Sequence, residues 1–254
     1  MAGTPTGSAL TEQHRKAQIQ IKAAALADYL KLWPVWEGDE DSFIQLVVAS
    51  IVLVRGYHLI SAQTAGNYFQ SYRIAEGAKG TALTKLADPV DEEKVRAALF
   101  ATGQIAVKDS LEAGNAPQRV REVALTRTSG AVSTQILNGG RETLLHSVQG
   151  DKSALGWARV TDSDPCAFCA LLAGRGPVYK SDAAAKFQAH GECACTAEPV
   201  YSRAAEWPGR AREFHDLYNE ATLEATQAGD LRRGTSNDLF NAFRRKYEAQ
   251  RRAV

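Results

Sequence analysis

Over most of this chain, apolar residues recur at the three- and four-residue spacing of amphipathic helices. Residues 9–32 are rich in Ala, Gln, Lys and Leu and lack Gly and Pro, which predicts a helix that Pro34 and Gly38 end. Ser42, behind Asp39, Glu40 and Asp41, is placed to cap the next helix, which runs over 43–76 with Gly56 and Gly66 as points of bending. Asp91, Glu92 and Glu93 open a helix over 91–113, which Gly114, Asn115 and Pro117 stop. A further helix is expected over 118–137, ended by Asn138, Gly139 and Gly140, and a short one over 142–148.

The texture then changes. Residues 157–160 predict a short strand, and Asp162, Ser163, Asp164 and Pro165 a turn. Gly174, Gly176 and Pro177 mark a tight loop, 181–188 a short helix and 194–201 a second strand. Beyond Pro208, helical periodicity returns over 210–228 and 237–251, and in the latter Leu239, Phe240, Phe243 and Tyr247 share one face. The fold class expected is mostly α, of α+β type. It comprises a helical region (1–150), a small Cys/His module (151–208) and C-terminal basic amphipathic helices (209–254). The first eight residues are small and polar and read as disordered.

All four cysteines fall within the module. Cys166 and Cys169 form a C-x2-C pair, and twenty residues later His190, Cys193 and Cys195 form H-x2-C-x-C. Two thiolates three positions apart converge on one ion, and a second Cys/His group completes a tetrahedron, so this spacing predicts structural zinc. On an extended segment Cys193 and Cys195 point to one face, since side chains alternate with period two. Five donors compete for about four positions, leaving His190 as a spare or alternative ligand. Disulfides would need an oxidising compartment, and the N-terminal residues show no apolar signal segment. A redox pair would be expected beside a βαβ pattern, whereas the residues ahead of Cys166 read as helical.

Composition narrows the function classes. A net charge of +1 over 254 residues argues against polyanion binding by the whole chain. Only the tail is strongly basic: residues 231–254 carry seven Lys or Arg, among them Arg244, Arg245, Lys246, Arg251 and Arg252, against Asp238 and Glu248. The longest apolar run, 43–54, contains Gln45 and Ser50 and falls short of the roughly 20 residues of a membrane span. It reads as a buried core helix, with no membrane partner.

Enzyme signatures are fragmentary. Pro165 to Cys169 and His190-Gly191-Glu192 match the two halves of a zinc deaminase motif, but in reversed order and without the alternating sheet. A cysteine nucleophile paired with His190 is less natural than four thiols sharing a metal. There is no G-x-S-x-G and no phosphate-binding glycine loop. His14, His58, His146 and His215 lie scattered on expected helices and read as packing or surface residues.

The module resembles that of the Mu F-like minor capsid proteins of tailed bacteriophages, also called head morphogenesis proteins. The residues that carry the resemblance are Trp157, Asp162, Asp164, Cys166, Cys169, Leu172, Gly174, His190, Cys193, Cys195 and Pro199. Many relatives have Pro after the histidine and Arg between the last two cysteines, where this chain has Gly191 and Ala194. The resemblance implies a virion component inside the head, made in the host bacterial cytoplasm. It also implies association with the portal protein, with a scaffold or major capsid protein as a further partner, and a role in head assembly or DNA ejection. Packaged DNA is a further expected partner, through the basic C-terminus. The reading is against an enzyme. Its rivals are a capsid maturation protease and a basic-tailed DNA-binding module.

Overall fold

The computed structural model of the chain describes residues 4–180, 187, 193–204, 206–230 and 236–252. The first helix, α1 (Pro5–Leu32), begins at Thr4, whose Oγ1 accepts from the Gly7 N–H at 3.0 Å, with Pro5 at the first helical position. A 3-10 turn, Trp33–Val35, leads towards α2 (Glu40–Ala75). The cap of α2 is Asp39 and not Ser42. The Asp39 carboxylate accepts from the Ser42 N–H at 2.8 Å and from its hydroxyl at 2.8 Å, so the helix starts two residues before the expected cap.

Next come α3 (Glu92–Thr102), α4 (Gln104–Glu112) and α5 (Pro117–Gly150). Helices α1, α2 and α5 pack together around Tyr29, Phe43, Leu46, Val47, Val54, Leu99 and Ile136, all fully or almost fully buried.

Two glycine positions behave differently from their sequence reading, for tertiary reasons. The single helix expected over 91–113 is divided at Gly103, where a Cβ would lie 2.2 Å from the Phe43 ring. Conversely, α5 runs straight through Asn138, Gly139 and Gly140, and the helix expected over 142–148 is its last part. A Cβ on Gly139 would stand 2.3 Å from the His58 carbonyl oxygen, and the Gly140 N–H donates to Ser61 Oγ at 3.0 Å. These glycines let the backbones of α5 and α2 approach closely.

The apolar run of α2 belongs to a longer stretch that is apolar enough over eighteen residues to cross a membrane by length and composition. Here that helix is the centre of the helical body, packed on α1 and α5. Its outer face leaves Ile44, Val48, Val52, Leu59 and Ile60 exposed.

The module is a three-stranded antiparallel sheet with β1 (Gly156–Val160) between β2 (Val178–Tyr179) and β3 (Thr196–Val200). Trp157 faces Pro199 and Val160 faces Thr196. The short helix α6 (Ala167–Ala173) follows β1. Ala167, Ala170 and Ala173 pack against Phe214 of α7 (Ala211–Gln227) and Phe243 and Tyr247 of α8 (Ser236–Arg252). The helix expected over 181–188 lies outside the described residues, Phe187 excepted.

Buried polar contacts fasten the sheet to the helical body. Alternate residues of β3 meet α1: Thr196 Oγ1 lies 3.1 Å from His14 Nε2, and Glu198 Oε2 accepts from Thr11 Oγ1 at 2.6 Å. The His14 ring stacks on Tyr68 of α2 at 4.4 Å. Burial, with Glu76 adding negative charge, pushes Glu198 up from 4.5 to about 7. Between those two values the folded chain holds a proton that the unfolded chain has released. Stability should therefore fall by roughly 3 kcal/mol as pH rises from 4.5 to 7, and change no further from this group above 7. Glu198→Gln should abolish that slope, matching the wild type near pH 5 and exceeding it near pH 8 in urea midpoint. A variant less stable than the wild type at both ends would refute the assignment.

Candidate metal centre

Local structure places each thiol. Cys166 caps α6, and its Sγ accepts from the Cys169 N–H at 3.4 Å, so the C-x2-C pair spans the first helical turn. The OH of Tyr247 donates to the Pro165 carbonyl at 2.6 Å and holds this turn against α8. Cys193 and Cys195 stand on the segment leading into β3, with the Cys195 N–H donating to Cys193 Sγ at 3.4 Å. Their sulfurs meet that of Cys169, and these three lie within 4.8 Å of one another in a buried cluster. Cys169 Sγ and Cys193 Sγ are 3.2 Å apart. Cys166, less buried, packs against the other three. Thiolates around one zinc, each at about 2.3 Å, sit roughly 3.8 Å from one another, so the spacing of these three sulfurs is compatible with such an ion.

The thiols perturb one another strongly. Hydrogen bonding with the Cys166 thiol, then with Cys193 and Cys195, pushes Cys169 far above the usual range. Hydrogen bonds from Cys169 and Cys195, supported by burial-opposing attraction to Arg141, hold Cys193 far below it. Asp162, in the turn after β1, bonds to the Ala194 N–H, and burial followed by the charge of Cys193 raises its carboxyl.

Arg141 of α5 is the neighbour that the sequence did not reveal. It is 3% exposed, and its Nη2 donates to the Cys193 carbonyl at 2.6 Å and its Nε to the Cys195 carbonyl at 3.1 Å. Phe187 lies beneath two guanidinium groups, Arg159 at 3.8 Å and Arg141 at 5.2 Å. The available signal was a charge on the buried side of α5, among Ile136, Leu137, Leu144 and Val148.

Of the five donors read from the sequence, the fold brings the sulfurs of Cys169, Cys193 and Cys195 together, with Cys166 packed beside them. His190 lies outside the described residues, as does Glu192. Two further histidines tie elements together: His58 Nδ1 lies 2.9 Å from the Gln135 carbonyl, and His215 Nδ1 lies 3.0 Å from that of Gly174. Three buried thiols at this spacing are consistent with metal binding.

The basic C-terminal helix is partly neutralised within the chain. Phe243 and Tyr247 are buried, Lys246 pairs with Glu220 and Glu224 of α7, Arg245 with Asp230, and Arg251 with Asp164.

A family model described as VG15 protein matches residues 6–221. The chain is also 28% identical over 165 residues to "Gene 15 protein" of Mycobacterium phage D29, a match covering 49% of this chain and 60% of that relative. The chain therefore spans less than two thirds of that relative's length. No solved structure matches.

Proposed function

The chain belongs to the VG15 protein family, and on that premise we propose that it is a minor capsid protein of a tailed bacteriophage, of the Mu F-like type. In this reading it sits inside the head beside the portal and acts in head morphogenesis and DNA ejection, having been made in the host cytoplasm. The observation that carries the reading is the likeness to a mycobacteriophage protein, in a chain whose thiols converge at the Mu F-like spacing. The thiols hold one structural zinc, which staples a sheet too small to order itself.

Two further features suit an assembly role. The apolar residues left exposed on α2 form a surface of the kind that protein partners cover. A closed thiolate site offers neither an open metal position nor a poised base, which favours assembly over capsid proteolysis. The paired charges of α8 weaken the case for DNA as the main partner and leave the portal or scaffold first.

The test uses phage carrying either the intact gene or an early stop codon in it. Mass spectrometry of purified virions should find the chain in far fewer copies than the major capsid protein. The stop mutant should still cleave its capsid protein but yield fewer infectious particles. Absence of the chain from virions, or a block in capsid-protein cleavage, would overturn the proposal.

A further inference from the structure

Arg141 poses an electrostatic problem. It is almost wholly buried, and its hydrogen bonds go to the neutral oxygens of Cys193, Cys195 and Asn138. Among the described residues no carboxylate pairs with it. A buried cation without a counter-charge is strongly unfavourable, and neutral thiols supply none. Among the described residues, the groups beside it able to carry negative charge are the sulfurs of Cys193, Cys195 and Cys169. A tetrathiolate around a divalent ion carries two negative charges, which are as costly to bury alone as the arginine is. Each charge answers the other.

Resting on the metal reading above, we infer that the four cysteines hold a soft divalent cation as a tetrathiolate whose charge is offset by Arg141, reaching in from the helical body. Arg141 is a positioning residue. Its two bonds to the carbonyls of Cys193 and Cys195 fix the segment that carries half the ligands, and its charge stabilises the thiolate form. Because Arg141 belongs to α5 and the ligands to the module, metal binding and docking of the module on α5 become one event. Loss of the ion would reduce the negative charge facing Arg141 and loosen α5 where it meets β3. The centre is then a clamp between two parts of the chain and not a self-contained knuckle.

The experiment compares the full reduced chain with Arg141→Met and Arg141→Lys, measuring zinc affinity by competition with a chromophoric chelator. The Met variant should still take up zinc but bind it about 10–100-fold more weakly, as loss of a supporting outer contact does, with the Lys variant in between. Hydrogen exchange over residues 136–145 should quicken when zinc is stripped from the wild type, and should already be quick in the zinc-loaded Met variant. Should the Met variant fail to fold, the Lys variant carries the same comparison, since it keeps the charge and loses the forked bonds. A Met variant, or in its absence a Lys variant, with unchanged affinity and unchanged exchange would overturn the role of Arg141 while leaving the metal centre standing. A wild-type chain that takes up no zinc would instead overturn the metal reading, and this inference with it.

Discussion

Stripping the metal from the reduced chain is expected to disorder residues 156–200 while α1, α2 and α5 stay helical. The sheet has strands of five, two and five residues, below what holds together without a staple. Structural zinc contributes an apparent ~10–16 kcal/mol in small zinc-folded peptides, comparable to or above the ~5–15 kcal/mol net stability of a typical domain. Trp157 on β1 is buried against the helical body and reports the module directly. A chelator should shift its fluorescence towards that of exposed indole and remove little far-ultraviolet helix signal. Cys169→Ser should reproduce the effect without chelator, because Cys169 is buried at the centre of the cluster. If both treatments leave the Trp157 signal untouched, the cluster does not staple the sheet.

The second large effect is expected at Asp151, which is 1% exposed at the end of α5. Its carboxylate accepts from Arg73 Nε at 2.7 Å, the Ser153 N–H at 2.9 Å and Tyr201 OH at 3.0 Å. Arg73 in turn donates to the carbonyls of Lys79 and Gly80, and Lys180 donates to the Asp151 carbonyl. Asp151, through its carboxylate, its carbonyl and its partner Arg73, thus joins α2, the turn after it, α5 and the segments that follow β2 and β3. Asp151→Ala would leave a buried guanidinium unpaired, at a cost of about 3–5 kcal/mol, far more than any exposed pair such as Lys31–Asp28. Urea unfolding measures this loss, and a change below about 1 kcal/mol would mean that the pair is solvated in solution.

What the sequence disclosed follows from the range of the forces involved. The mostly helical class, with a small sheet, rested on periodicity and local propensity, and the chain has that class. Both five-residue strands fall within a residue or two of where alternation put them. The meeting of Cys169 with Cys193 and Cys195 was legible because such spacing reflects local geometry, a helical turn after Cys166 and an extended segment for Cys193 and Cys195.

What was not legible depends on neighbours distant in sequence. Gly103 divides a helix beside the Phe43 ring, whereas Gly139 sits inside one against the His58 backbone, and the glycine is the same in both. The two-residue β2 carries too little pattern to distinguish from a loop. Arg141 reads as one polar residue on a long helix, and its carbonyl partners lie 52 and 54 residues away. The tail looked free and basic in sequence because Glu220 and Glu224, which neutralise Lys246, belong to another helix.

X-ray absorption at the zinc edge on the freshly reduced full chain tests the metal centre most directly. One zinc per chain with four sulfur neighbours at about 2.3 Å is expected. A first shell of three sulfurs and one nitrogen would contradict the tetrathiolate, and a zinc-free chain would contradict the metal centre altogether.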